Sequence, residues 1–165
     1  MTLTPIDSPA VLVPRLIAHE EIQARNIVAR FTIAGEAVTK GRPRFARRGK
    51  GVRTYTPADT LEAEAVVADA FRAAVPHHQP DKEYTYGLLA VFCVGNRKVR
   101  DVDNLLKLVL DGLNKIAWHD DAQVVELSGR KIYDLANPEN ARSEVVIYQV
   151  GEVPKPYRRP KRRAG

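Results

Sequence analysis

The run from Tyr84 to Val94 is almost wholly apolar and stops at Gly95-Asn96. A strand with one wet face alternates polar and apolar residues. An unbroken apolar run of strand length between turn formers instead fits a central strand buried on both faces. The rest of the chain is read around that strand. Asn26 to Ala34 alternates, with Ile27, Ala29, Phe31 and Ile33 on one face, and predicts a half-buried strand. Thr56 is a good helix cap, Pro57 suits the first helical position, and Asp59 can reach back toward the cap. Leu61, Ala65, Ala68, Phe71 and Val75 then keep helical spacing until Pro76.

A second helix is expected from about Asp103 to Ile116, with Leu105, Leu106, Val109, Leu110, Leu113 and Ile116 as its core stripe. Gln123 to Tyr133 alternates again, and Glu144 to Val150 gives a last strand after the turn at Asn137-Pro138-Glu139-Asn140. The order is β, loop, α, β, α, β, β, and the closing pair reads as a hairpin. The fold class is therefore α+β: one domain, a mixed sheet with two main helices packed on it. Residues 1–25 read as an irregular arm, 26–150 as the domain, and 151–165 as a basic tail whose Pro and Arg content predicts disorder.

Hydrophobic residues make up 44% of the chain and charged residues 28%, enough apolar material for a real core. The one cysteine, Cys93, lies inside the apolar run and reads as a small buried side chain, which leaves no disulfide framework or Cys-based zinc site. No segment reaches the roughly 18 apolar residues of a membrane helix. Val11-Leu12-Val13 is broken by Pro14 and Arg15, so a signal peptide is not expected either. A soluble protein of the cytoplasm is the expectation.

Net charge is +6, with a pI near 9.6. The positive charge is concentrated: Lys40, Arg42, Arg44, Arg47, Arg48, Lys50 and Arg53 in a Gly- and Pro-containing segment, then Lys155, Arg158, Arg159, Lys161, Arg162 and Arg163 at the end. Either cluster alone could be a solvated stretch; the two together favour a nucleic-acid partner.

Against this background an acidic constellation stands out between Arg100 and Gln123. Asp101 and Asp103 sit where the buried strand hands over to the second helix. At i and i+2 in extended chain they point the same way, and Asp103 can also cap the helix. Asn104 adds a neutral oxygen. Asp103, Lys107 and Asp111 recur every four residues on the polar side. After Trp118, His119-Asp120-Asp121 begins the next strand, a return expected to bring a second acidic pair toward the first. Clustered carboxylates repel unless a cation neutralises them. Mg²⁺ binds through one or two carboxylates while keeping waters and phosphate oxygens, and it polarises a phosphoryl group and supplies hydroxide. Lys107 could orient the attacking water or balance charge. Each element also has a plain reading: helix capping for the Asp pair, i,i+4 ion pairs for Lys107, a turn for Asp120-Asp121, a structural role for Asp111, a surface position for His119.

The segments R-D-V-D-N-L-L-K-L-V-L-D-G-L-N and W-H-D-D-A-Q-V closely resemble the signature of RusA-type Holliday-junction resolvases, D-x-D-N-x-x-K followed by a D-D-x-Q-V turn into a strand. K-G-R-P-R-F resembles that family's basic loop, and the likeness spans roughly Phe31 to Tyr148. It implies a bacterial or phage-encoded homodimer that binds four-way junction DNA and makes paired symmetric nicks, with Mg²⁺ as cofactor and Mn²⁺ as a substitute. It places the catalytic, metal-binding carboxylates on Asp101, Asp103 and Asp121, with Asp120 as the alternate, and the catalytic lysine on Lys107. Lys40, Arg42, Arg44, Arg47, Arg48 and Asn104 become DNA contacts. The alternatives are a nuclease for other branched or duplex DNA, and a non-catalytic nucleic-acid-binding protein. The latter accounts for the cations but not for the carboxylates.

Overall fold

In a computed structural model of the chain, residues 16–18, 22–23, 25–41, 44–48 and 51–154 are described, those of 44–48 and 51–55 by backbone alone. Most of the expected arm, residues 1–15, and the basic tail from Lys155 lie outside them, as does Arg42. The elements are β1 (Asn26–Ala34), β2 (Arg44–Arg48), β3 (Gly51–Tyr55), α1 (Ala58–Ala74), β4 (Tyr84–Val94), α2 (Val102–Leu113), β5 (Val124–Tyr133) and β6 (Arg142–Glu152). Short 3₁₀ turns at Asp121–Gln123 and Pro138–Asn140 precede the last two strands. No described helix is long and apolar enough to cross a membrane.

The apolar run becomes β4, and it is central as expected: the four-stranded sheet has the order β1-β6-β4-β5. β4 is antiparallel to β6, with Leu88 opposite Ile147, and parallel to β5, with Leu88 opposite Leu127. The fold is thus the expected single α+β domain with a mixed sheet and two helices. The closing pair is not a hairpin, however, because β4 lies between β5 and β6. A parallel partner needs a crossover, and α2 supplies it, carrying the chain from the top of β4 back to its foot before β5 begins.

Both faces of β4 are covered. Leu88, Ala90, Phe92 and Val94 pack under the helices with Val67, Phe71, Leu105, Val109 and Leu113. Leu89 and Val91 face the other way, with Val146 and Tyr148, and there Ile17 and Ile22 of the N-terminal arm close the core. The described residues of the arm are no mere appendage. Glu144 on β6 holds it: the carboxylate accepts the backbone N–H of Leu16 (2.9 Å) and Ile17 (3.3 Å), while Arg30 and Arg142 flank it at 3.5 and 3.4 Å. Tyr148 fixes the lower part of that face. Its hydroxyl donates to Glu126 (2.8 Å) and Arg25 lies 4.1 Å above its ring. Burial, then the bond to Glu126, pushes the Tyr148 phenol up to about 12.

Local expectations shift in three places. Pro57, not Thr56, occupies the cap position of α1, and no side chain caps it. The buried side of α1 is Thr60, Val67, Ala68 and Phe71, leaving Leu61 54% exposed and Ala65 exposed. Thr60 is inside because its hydroxyl accepts the N–H of Gly41 (3.2 Å), tying the segment after β1 onto the helix. The basic segment, read as a loop, contains an antiparallel ribbon, with Arg44 opposite Tyr55 and Arg48 opposite Gly51. Val52, Thr54 and Tyr55 are β-formers that the charge pattern obscures.

Gly87 sets the position of Tyr148, since a Cβ there would lie 2.2 Å from two ring carbons. Gly87→Ala should destabilise the protein by about 1–3 kcal/mol through overpacking. Adding Tyr148→Leu should recover part of that loss, as read from denaturant midpoints of the double-mutant cycle.

Candidate active site

The loop from Gly95 to Arg100 delivers the chain from β4 to α2, and it is braced on every side. Asn96 folds back so that its side-chain oxygen accepts the N–H of Lys98 (3.0 Å) and the guanidinium of Arg100 (2.8 Å). Arg100 is buried and pairs with Glu36 (3.1 Å), whose other oxygen accepts the N–H of Gly95 (2.8 Å). From β5, Lys131 donates to the Arg100 carbonyl (2.7 Å). The backbone entering Asp101 is therefore fixed by the Glu36–Arg100 ion pair and by hydrogen bonds from Asn96 and Lys131.

Asp101, not Asp103, takes the N-cap position of α2, with extended backbone (φ −81, ψ 136) and its carbonyl accepting the N–H of Leu105 (3.1 Å). Asp103 stands in the first turn. The two are thus not neighbours on a strand, and neither side chain caps the helix. Both are exposed, and neither has a hydrogen-bond or ion-pair partner among the described residues. The open N–H groups of the first turn favour negative charge there, and both side chains are open to solvent.

The polar side of α2 is as expected. Lys107 is 61% exposed and lies 3.8 Å from Asp111, one turn on. Asp111 is half-buried and serves structure, since Lys40 pairs with it directly and reaches Glu64 of α1 at 3.8 Å. Lys40 also donates its backbone N–H to the carbonyl of the half-buried Asn104 (3.3 Å). Its ammonium thus ties the two helices together. The side chains of Arg44, Arg47 and Arg48 lie outside the described set, although the ribbon carrying them follows directly from Lys40-Gly41. The opposite side of α2 buries Leu105, Leu106, Val109 and Leu113, and Leu108 as well; Leu110 and Ile116 are half-buried.

Asp120 and Asp121 are elsewhere. α2 has 12 residues, about 18 Å at 1.5 Å per residue, and it runs away from Asp101. At its far end Lys115 adopts φ 65, and the chain turns into a capping box. There Asp120 accepts the N–H of Ala122 (3.0 Å), and the Gln123 side chain accepts those of His119 (2.9 Å) and Asp120 (3.0 Å). The Ala122 N–H, then Lys115, holds the Asp120 carboxyl below its usual range. Asp121 accepts from the indole of Trp118 (2.8 Å). The return of the chain therefore does not bring this pair toward Asp101 and Asp103. It lies at the foot of the sheet and they lie at the top, because a parallel crossover must descend before the next strand can rise. Among the described residues, no three His, Cys, Asp or Glu side chains gather closely enough to hold one ion. His119 is exposed beside this turn.

Lys131, Arg100 and Glu36 had no part in the sequence reading of the site. Lys131 had a signal. Leu127, Gly129, Lys131 and Tyr133 share the helix-facing side of β5, and a lysine amid that face calls for a polar partner. The Glu36–Arg100 pair spans two segments far apart in sequence and left none.

A model of the family described as Endodeoxyribonuclease RusA matches residues 34–148. The uncharacterized protein YqaN of Bacillus subtilis is 31% identical over 144 residues, covering 73% of this chain and 96% of its own length.

Asp111 is the hub between α1, α2 and the basic segment. Asp111→Asn should cost about 1 kcal/mol of stability, while Lys107→Met costs less because its partner distance is long and its head is in water. Urea titrations of the two variants check the order.

Proposed function

The chain belongs to the RusA family of Holliday-junction-resolving endodeoxyribonucleases, and we propose that it acts as a homodimer that places paired symmetric nicks in four-way junction DNA, with Mg²⁺ as cofactor, in recombination and repair in the cytoplasm. One observation carries the reading. In a chain of net charge +6, two carboxylates with no partner among the described residues stand exposed at a helix entry whose backbone is locked. Each would repel a phosphate, so their placement makes sense for a cation that bridges them to one.

The donor set fits a hard divalent ion. Asp101 and Asp103 supply oxygens only, in a number Mg²⁺ accepts while keeping waters and phosphate oxygens. A bound ion would polarise the phosphoryl group and lower the pKa of its water. The protein's own contribution is positional. Arg100, Glu36, Asn96 and Lys131 hold the loop so that the carboxylates are presented without reorganisation. Lys107, one turn along α2 and exposed, offsets charge that builds on the phosphate. Arg42, Arg44, Arg47, Arg48 and Asn104 are assigned to the DNA backbone, whereas a phosphate contact from Lys40 would have to displace Asp111.

Asp121 can join Asp101 and Asp103 at one ion only if it comes from another copy. β5 is an edge strand, and Val125 and Leu127 on it are 55% and 49% exposed. Two such edges set antiparallel about a two-fold axis carry the foot of one strand to the top of the other. Asp121 of one copy then approaches the helix entry of its mate, and the pair of sites matches the two-fold symmetry of a junction. A competing reading makes Asp121 a partner for Trp118 only.

Asp103→Asn should slow Mg²⁺-dependent nicking of a synthetic junction by at least about 10²-fold, because ion-mediated stabilisation is worth several kcal/mol. Junction binding should survive. Full nicking by the variant would remove Asp103 from the site, and equal cutting of linear duplex would remove the junction preference. Mixing Asp103→Asn chains with Asp121→Asn chains separates the two readings of Asp121. If sites are shared between copies, Asp121→Asn chains alone are inactive, and each mixed dimer regains one intact site and nicks one strand; if Asp121 serves Trp118 only, Asp121→Asn chains nick without the mixing.

A further inference from the structure

The C-terminal end of β5 carries a second feature on the same side of the sheet as Asp101. Tyr133 and Leu135 are 53% and 41% exposed, and together with Arg97 they line a cavity of about 370 Å³. The Lys131 ammonium lies 5.1 Å from the centre of the Tyr133 ring, and the same ammonium is tied to the Arg100 carbonyl, one residue before Asp101. Tyr133 stands opposite Val94 in the register, and the N–H of Asp134 donates to the Val94 carbonyl (3.0 Å), so the end of β5 that carries the ring is held against the central strand. Tyr133, Leu135 and Arg97 thus line a hollow near the helix entry, with the Lys131 ammonium beside the ring.

This combination is costly to leave in water and specific in what it suits. A flat aromatic with a cation at its side offers a stacking surface, and the guanidinium of Arg97 can meet a phosphate. Bases in continuous duplex are stacked on one another and cannot use it. A base released from its stack can, and aromatic platforms with basic surroundings bind such bases regardless of identity. The cationic rim disfavours an apolar protein segment as the occupant. The geometry points to a subsite for one unstacked nucleotide, with its base on Tyr133 and Leu135 and its phosphate on Arg97, beside the phosphate at Asp101 and Asp103. It rests on the reading of the chain as a binder of branched DNA and adds what the protein does with the branch: it captures a base freed near the strand-exchange point.

The test uses the full-length protein in EDTA, so that nothing is cut. A four-way junction carries 2-aminopurine at the nucleotides flanking the exchange point, and a single-stranded hexanucleotide carries it centrally. Wild-type protein should quench the fluorescence at one junction position and in the hexanucleotide. Tyr133→Ala should abolish both signals and weaken junction binding about tenfold, with linear duplex binding changed less than about twofold. Tyr133→Phe and Tyr133→Trp should keep the quench. The subsite is overturned if wild-type protein binds both DNAs without quenching. It is equally overturned if Tyr133→Ala weakens duplex as much as junction, or turns dimers into monomers, which would make the ring part of an interface between copies. Quenching of the hexanucleotide with no preference for the junction over duplex leaves the subsite standing and overturns the branched-DNA reading instead.

Discussion

Everything in this molecule hangs on the burial of β4 from both sides. A strand that is apolar on two faces has no stable place at a surface, so it must recruit one cover for each. The helices α1 and α2 provide one, and the other comes from an irregular stretch of the arm whose Ile17 and Ile22 would otherwise have no reason to order. The two covers are not equivalent. The helical side is a broad, close-packed layer. The arm side is narrow and depends on one buried carboxylate, Glu144, to satisfy backbone groups that a loop cannot satisfy for itself.

The same strand decides where chemistry can sit. Its top opens into a short loop that changes direction before α2, and ionic and polar contacts from Glu36, Asn96, Arg100 and Lys131 hold it in place. Rigid placement at a helix entry lets two carboxylates remain without partners among the described residues. Such groups are affordable only at a surface, where water solvates them until a cation and a phosphate arrive.

Much of this was legible in the residues. The continuous apolar run marked the central strand, and the 3.6-residue spacing after Asp101 marked α2 and its two sides, because both patterns are local and strong. What stayed hidden was long-range. Nothing in a single strand's composition says whether the next one pairs to its left or right, so a hairpin was expected where β4 intervenes. The same ignorance misplaced Asp120 and Asp121, which are near Asp101 in sequence but separated from it by the length of a helix. The helix-start signals at Thr56 and Asp103 each missed by a residue or more, since several cap-competent residues crowd those positions and packing chose among them. Lys40, expected from the family resemblance to contact DNA, turns inward because Asp111 and Glu64 lie within its reach.

The position of β6 has a bearing on how the protein is made. It lies between β1 and β4, so β1 lacks this partner until β6 has followed it off the ribosome, and the register joins Phe31 to Val145 across most of the chain. The arm waits as well, because Glu144 belongs to that same late strand. β4, α2 and β5 can associate as they emerge, being close in sequence, but the sheet cannot gain its other half by local steps. Contacts of such separation make folding slow, and they leave apolar strand edges open during synthesis. Biogenesis should therefore be all-or-none, with no stable half-built nuclease on the way.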